Sequence, residues 1–522
     1  MLRKDMLDVL NDASTIWDVI VVGGGATGLG VGLDAAARGY RTLVLEQADF
    51  AQATSSRSTK LIHGGVRYLQ QGNLALVTEA LHERGLLLQN APHLVFNQAF
   101  VVPDYKWWER PFYGAGLKIY DMLAGKHGFG RSRMLSREAT LEAIPSLKRE
   151  GLRGGVIYHD GQFDDARLAV TMARTVADQG GTVLNHVRVT GLLKDGSSVV
   201  RGVRARDELG QTEHELKARA VINATGPFVD CLRVMDRAES SRLIAPSQGV
   251  HLVLDHSFDP GETAIMVPHT DDGRIIFMVP WRHRVLVGTT DTPLDSPDMD
   301  PLPLEGEIDF LLKHAGRYLS RAPARTDVLS AFAGIRPLIS GDTSVRTSSL
   351  SRSHHLAISK SGLISIAGGK WTTFRKMAED TVTQAALFAG LPQRPCPTAD
   401  LRLHGWTDQV EANNHLDAFG SDKAEVLGLG RENPELLEPL HPSLPYLKAE
   451  VVYGVRQEWA QTVYDVLAHR TRALILDARA SMDIAPEVAR IMATELGYGS
   501  TWEQAQVQAF RRTARGFLPE GL

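Results

Sequence analysis

Hydrophobic positions along the chain fall into two patterns. Residues 19–22 and 42–45 are continuous apolar runs, the pattern of short strands buried on both faces. Residues 182–189, 199–206, 213–217 and 219–223 read as further strands, with turns at Gly180-Gly181 and Gly210. Between residues 246 and 345 the pattern changes. Runs at 250–254, 275–279 and 285–288 are separated by Pro and Asp, which predicts an antiparallel sheet. Residues 363–367 form another apolar run, and a helix is expected from Thr372 or Thr373 through Ala386. Leu391-Pro392, Pro395 and Pro397 mark a boundary, beyond which the pattern is helical. There Pro486 suits a first helical position. Val488, Ile491, Met492 and Leu496 make one apolar stripe before Gly497, and Ser500-x-x-Glu503 reads as a capping box.

The chemistry begins at the first strand. Gly23-x-Gly25-x-x-Gly28 follows residues 19–22. A small-residue segment, opening with Ala26 and Thr27, runs to Arg38-Gly39, and Glu46 closes the second strand. This is the β-α-β layout of a dinucleotide site. The glycines permit a tight turn and close backbone approach to a pyrophosphate. The helix N-terminus offers it N–H groups and a positive dipole end, and the acid can accept hydrogen bonds from a ribose hydroxyl. Thr54, Ser55, Ser56, Ser58 and Thr59 then offer hydroxyls as phosphate hydrogen-bond donors. Ala224-Thr225-Gly226, after the run 219–223, reads as a second close approach to the cofactor. Gly368-Gly369-Lys370-Trp371-Thr372-Thr373 brings the chain back. A glycine-rich strand end feeding a helix N-terminus aims partial positive charge at whatever lies in front of it.

The phrase Ser55-Ser56-Arg57-Ser58-Thr59-Lys60-Leu61-Ile62-His63-Gly64-Gly65-Val66-Arg67-Tyr68 resembles the FAD-dependent glycerol-3-phosphate dehydrogenases, within the glycine-oxidase-like (DAO) flavoprotein superfamily. The resemblance covers most of residues 17–385 and, more weakly, the helical tail. It implies an α/β fold with three parts: a Rossmann-like FAD-binding domain (17–95, 150–245 and 346–390), an antiparallel-sheet substrate domain (96–149 and 246–345) and a C-terminal helical cap domain (395–522). It implies oxidation of sn-glycerol 3-phosphate at C2 to dihydroxyacetone phosphate, with hydride passing to FAD N5 and electrons on to quinone. FAD contacts are then expected at Gly23, Gly25, Ala26, Thr27, Gly28, Glu46, Thr54, Ser55, Ser58, Leu61, Gly64, Gly65, Ala224, Thr225, Gly226, Gly369, Lys370, Trp371 and Thr372. Substrate contacts are expected at Arg67, Tyr68, Arg336, Arg352 and Lys370, because arginine grips phosphate bidentately and lysine supplies a point charge. The residues after Arg352, Ser353-His354-His355, depart from the acid and aromatic that often follow in the family. Alcohol oxidation also calls for a base. His63, in the diagnostic phrase, is the first candidate, and His251, on a strand facing the expected pocket, is the second. Arg336 is expected to stabilise the developing alkoxide.

Composition narrows the picture further. The chain has 522 residues, enough for two or three domains, and its 43% hydrophobic and 23% charged residues are ordinary for a globular protein. A formal net charge of −4 does not suggest a nucleic-acid partner. Cys231 and Cys396 are the only cysteines, which excludes a disulfide framework and a four-cysteine metal site. No metal is expected. A reducing compartment fits, either the cytoplasm or the inner face of the cytoplasmic membrane. The first residues carry Asp5, Asp8 and Asp12 with no long apolar core, so no secretory signal is expected. No run reaches the roughly 18 apolar residues of a membrane span. Lys106-Trp107-Trp108-Glu109-Arg110-Pro111-Phe112-Tyr113, continuing to Lys126, suits either a bilayer surface or the inner face of the substrate domain. A homodimer is compatible with the sequence.

The rival readings are a glycerol-3-phosphate oxidase using oxygen, an amine or amino-acid oxidase, a flavin scaffold without turnover and a nicotinamide enzyme. The lack of a surplus mid-chain segment counts against the first and the converging cations against the second. His63, Arg336 and Lys370 count against a scaffold. The segment from Thr54 to Arg67 and the return at Gly368 count against nicotinamide.

Overall fold

The structure, a computed structural model, describes residues 3–12, 14–66, 73–340, 354–410 and 414–521. Strand Ile16–Val22 lies in a sheet that has eight strands among the described residues. Glu213–Asn223 and Thr42–Leu45 flank it in parallel. Ile364–Gly368 and Thr182–Leu184 extend the parallel order outward, and His354–Ile358 runs antiparallel at one edge. Helices cover both faces of such a sheet, so its strands read as continuous apolar runs; all of Thr42–Leu45 is buried. Helix Ala26–Ala37 packs tightly because it is rich in glycine. A Cβ at Gly30 would lie 2.8 Å from the Phe374 ring, and one at Gly32 would collide with Val44. Helix Phe374–Ala389 packs against that face. Arg38, paired with buried Asp34 at 2.7 Å, also donates to the Glu379 carbonyl and ties the two helices together.

The second sheet has ten strands among the described residues. Its central pairing is Ile244–Asp255 with Val328–Ile339, and Arg284–Gly288, Ile276–Trp281, Ala264–Val267 and Val95–Asp104 follow in order. It is antiparallel, as the alternating runs predict, except that Ala264–Val267 lies parallel to Val95–Asp104. Gly154–Phe163, placed by sequence with the dinucleotide segment, pairs along its whole length with Val95–Asp104 and so joins this sheet.

Other local expectations are also corrected. The run 182–189 splits into Thr182–Leu184 and Val187–Lys194, because His186 takes φ 56°. Residues 213–217 and 219–223 fuse into one strand. Pro486 does not open a helix. The helix is Ala478–Leu496, started by Asp477, whose carboxylate accepts the Ala480 N–H at 3.0 Å. Proline inside a helix leaves the carbonyl four residues earlier without its donor. That carbonyl belongs to Met482, and Arg511 of helix Ser500–Arg515 donates to it at 3.2 and 3.3 Å. Ser500 is already helical and Gly499 is the cap, so the expected capping box does not form.

Candidate active site

Two cavities meet at the C-terminal ends of the parallel strands, where ligands of α/β sheets bind. One, of about 350 Å³, is bordered by Gly23, Gly25, Glu46, Ser55, Ala224 and Gly226. The other, of about 300 Å³, lies against the antiparallel sheet and is bordered by His63, His251, Arg274, Asp291 and Arg336. Thr54, Pro337, Gly368, Gly369, Lys370 and Trp371 border both.

The floor of the first cavity is built for close approach. Gly23 takes φ +114°, and a Cβ there would lie 2.6 Å from the Ala224 carbonyl oxygen. Gly28 stands behind the wall, where a Cβ would collide with the Gly23 carbonyl and force strand and helix apart. Gly25 precedes the first helical turn, whose Ala26 and Thr27 also border the cavity; a Cβ at Gly25 would lie 2.9 Å from Ser55 Oγ. A side-chain-free floor before a helix N-terminus fits a pyrophosphate, so the residues present suit a dinucleotide. Glu46 keeps its expected place at the strand end. Its carboxylate accepts the Gly24 N–H at 2.6 Å and the Ala48 N–H at 2.9 Å, and burial raises its pKa. Thr225 donates to Asn223 Oδ1 at 2.7 Å, which orients the Ala224-Thr225-Gly226 turn.

The hydroxyl run departs from expectation. Thr54 Oγ1 donates to the Ile335 carbonyl at 2.5 Å, Ser56 bonds the Ala53 carbonyl and Ser58 Oγ donates to Asp165 at 2.7 Å. Thr59 Oγ1 lies 2.8 Å from His251 Nε2. Ser55 alone turns to the helix N-terminus, accepting the Ala26 N–H at 2.9 Å. Buried hydroxyls without partners are costly, and this loop satisfies most of its own within the protein.

In the second cavity, His63 is anchored by its backbone. Its N–H donates to Thr372 Oγ1 and its carbonyl accepts from the same hydroxyl, both at 3.2 Å. Trp371 Nε1 donates to the Ser55 carbonyl at 2.9 Å, so the Trp371–Thr373 turn holds the loop from two sides. Leu61 and Gly65 border the cavity. Gly64 lies behind it and donates its N–H to the Tyr120 hydroxyl at 2.8 Å. His251 is 3% exposed and stacks on Phe332 with ring centroids 5.0 Å apart. Burial, then the Lys60 and Arg336 cations, hold its pKa well below 6.5. Arg336 donates to Thr289 Oγ1 at 3.0 Å and to the Thr290 carbonyl at 2.8 Å, and pairs with Asp291 at 3.2 Å. The Lys370 ammonium nitrogen is buried. Arg67, Tyr68 and Arg352 lie outside the described residues.

Sequence reasoning missed Arg274 and Asp291. Arg274 pairs with Asp272 at 2.8 Å and donates to the Asp291 carbonyl at 3.3 Å, so it joins the Arg336 cluster. The available signal was position, since Asp272-Gly273-Arg274 and Thr289-Thr290-Asp291 lie in connections at strand ends of the substrate sheet.

Residues 18–375 match the family described as FAD dependent oxidoreductase, and residues 360–506 match the C-terminal domain of alpha-glycerophosphate oxidase. The probable mitochondrial glycerol-3-phosphate dehydrogenase of Caenorhabditis elegans is 42% identical over 540 residues, covering 98% of this chain and 74% of that protein. The human mitochondrial glycerol-3-phosphate dehydrogenase is 41% identical over 550 residues, covering 99% and 75%. The chain belongs to the FAD-dependent glycerol-3-phosphate dehydrogenase family. The fold agrees. The structure of the glycerol-3-phosphate dehydrogenase from Bacillus halodurans, complexed with FAD, superposes with a TM-score of 0.81 at 31% identity, covering 100% of this chain and 98% of that one. The family match at residues 360–506 spans the return of the chain to the shared wall and most of the helical tail.

Proposed function

We propose that this chain oxidises sn-glycerol 3-phosphate at C2 to dihydroxyacetone phosphate with bound FAD and passes the electrons to quinone. The wall common to the two cavities carries the reading. Gly368-Gly369-Lys370-Trp371 borders both the dinucleotide floor and the chamber that holds His63, His251 and Arg336. When bound, FAD supplies the hydride acceptor. His63 takes the proton of the C2 hydroxyl, and Arg336 faces the oxygen as negative charge builds on it. Lys370, with Arg67, holds the phosphate. His251 suits the base role less. A proton placed there would sit buried and face both Lys60 and Arg336. Its neutral ring instead offers one orienting hydrogen bond.

The exposed surface supports the proposed acceptor and location. Among the described residues no helix is long and apolar enough to cross a membrane. Helix Glu109–Ala124 buries Tyr113, Leu117 and Tyr120, while Phe112, Ile119 and Met122 remain exposed, as does Trp107 just before the helix. The inner-face reading of the aromatic stretch accounts for the buried residues, and the exposed ones support the bilayer reading. The outer face suits peripheral binding to a bilayer, where quinone resides.

Anaerobic mixing of the purified protein with glycerol 3-phosphate tests the reading. Bleaching of the flavin absorbance is expected, with glycerol far poorer; equal bleaching by glycerol, or none by either, overturns it. Peroxide formed in oxygen as fast as quinone is reduced would move the assignment to the oxidase.

A further inference from the structure

The C-terminal helices reach the loop that lines both cavities. The loop between Asp49 and Lys60 is held at each end by one short stretch of that region. At its start, Asp49 is fully buried and accepts from Arg470 at 2.6 and 3.0 Å; His469 Nδ1 lies 2.8 Å from the same carboxylate. At its end, Arg472 Nη2 donates to the Ser56 carbonyl at 2.7 Å and to Asp165 at 3.0 Å. Asp165 gathers the rest. It accepts the Ser58 N–H at 3.0 Å, the Ser58 hydroxyl at 2.7 Å and the Lys60 ammonium at 2.7 Å. Lys60 also donates to the Ser56 carbonyl at 2.8 Å. Arg472 is 1% exposed, and takes φ 65°, a left-handed conformation uncommon for arginine. Between the two grips, Thr54 and Ser55 border the dinucleotide floor, and Thr59 meets His251.

We infer that Arg472 is a positioning residue for the reaction, and that the segment 465–472 is a clamp that holds the 49–60 loop in the shape the cofactor and substrate need. The inference rests on the functional reading above in assigning that loop to FAD. Its chemistry is specific. Two buried cations converge on one backbone carbonyl, and the Asp165 carboxylate pairs with both while fixing Ser58 by two hydrogen bonds; Asp164, 3.5 Å from Arg472, adds a second negative charge. Neutral packing at position 472 would fill the space but leave the Ser56 carbonyl and Asp165 with one donor fewer each. The π-helical turn Asp465–Arg470 places His469 and Arg470 on the Asp49 carboxylate, and such turns gather at functional sites.

The test compares the holoenzyme with Arg472→Met, Arg472→Lys and Asp165→Asn. The readouts are FAD retained per chain after repeated dilution, the shape of the visible flavin band, and the rate and half-saturating substrate concentration of anaerobic flavin reduction. Arg472→Met should lose FAD about tenfold faster and reduce it more slowly, with an altered band, because a charge-assisted bond has gone. Arg472→Lys should restore most of both, since it keeps a donor and a charge. If Arg472→Met does not accumulate folded, the nearly isosteric Asp165→Asn reads the same grip from the other side, with the same losses expected. FAD retention, band and rate within about twofold of the parent in the folded variant would reduce the clamp to an ordinary structural tie. So would an Arg472→Lys variant as impaired as Arg472→Met. If the parent itself is not bleached by glycerol 3-phosphate, the functional reading fails, while FAD retention still decides the clamp.

Discussion

Gly249 leaves the space that the Arg336 guanidinium fills. A Cβ at Gly249 would collide with Arg336 Nη2 and lie 2.6 Å from Thr289 Oγ1. The two residues sit on paired strands, with Gly249 opposite Gly334 and Ser247 opposite Arg336. The obstructed atoms end a flexible side chain and a hydroxyl rotor, so the backbone need not move. Gly249→Ala should therefore keep fold and FAD while displacing Arg336 from its bond to Thr289. Oxidation of glycerol 3-phosphate should fall by about 10- to 150-fold, the worth of one charge-assisted contact. Stopped-flow flavin reduction measures it. An unchanged rate would remove Arg336 from the chemistry.

Lys370 tests the phosphate assignment. Lys370 borders both cavities, and its ammonium nitrogen is buried. Lys370→Ala should raise the concentration of glycerol 3-phosphate for half-maximal flavin reduction by about 10- to 150-fold and leave the weak reaction with glycerol nearly unchanged. A parallel loss for both substrates would place Lys370 at the cofactor instead.

The dinucleotide unit was legible because it is local. Strand, glycine turn, helix and acid follow one another from residue 16 to Glu46, and each obeys a short-range rule. The cations Arg336 and Lys370 were legible only through family phrases, and the structure brings them to one chamber. The grip of Lys60, Asp165 and Arg472 was not legible, because three distant segments supply it and buried charge leaves no periodic trace. In hindsight, the basic residues His469, Arg470 and Arg472 between the apolar stretches Val466-Leu467-Ala468 and Ala473-Leu474-Ile475-Leu476 were the clue. Pro486 misled for a similar reason: its missing hydrogen bond is made good by Arg511, far along the chain. The hydroxyl run misled because composition shows donors but not where they point.

His404 predicts an alkaline limit to stability. Its ring nitrogens lie 2.7 Å from Asp178 and 2.8 Å from Asp422, bridging helix Asp165–Asp178 to the segment that opens helix Lys423–Glu432. Burial opposes its charge, but the two carboxylates outweigh that and push its pKa up to about 9. Arg174 faces the same Asp422 at 2.6 Å and opposes the rise in the His404 pKa. A raised folded pKa gives stability that is fully present below the unfolded value of 6.5 and is lost as pH rises through about 9. The Tm of the parent should exceed that of His404→Gln by a constant margin below pH 6.5, and the margin should close towards pH 10. A margin independent of pH would mean that His404 has the same pKa folded and unfolded, and that the two carboxylates do not raise it.

The outer face of helix Glu109–Ala124 makes a separate prediction. Trp107 is 76% exposed and Met122 is 79% exposed, beside Lys106 and Lys118. Replacing Trp107, Phe112 and Met122 together by serine should weaken binding to anionic lipid vesicles by tenfold or more, at roughly 25 cal/mol per Å² of apolar area withdrawn from the bilayer. Flavin reduction by glycerol 3-phosphate in solution should stay close to the parent rate. Vesicle flotation at the parent level would assign this face to another partner.

His63 carries the sharpest prediction. Removing an alcohol proton at neutral pH needs a base that is unprotonated there and able to hold the proton it takes. His251 meets the first condition but not the second, because burial and two cations disfavour its charged form. His63 borders the same cavity, and its backbone is fixed on both sides by the Thr372 hydroxyl. The positive φ of Gly65, +82°, turns the chain away just beyond it. His63→Asn keeps a hydrogen-bonding side chain of similar reach but removes the titrating ring. FAD content and Tm should stay near the parent, while flavin reduction slows by about 10²–10⁴-fold, the usual worth of a placed base. The parent should also slow at low pH, where a protonated imidazole cannot accept, and the variant should lose that limb. A variant within a few-fold of the parent rate, with the acid limb intact, would pass the role to His251 or to a water held by Arg336.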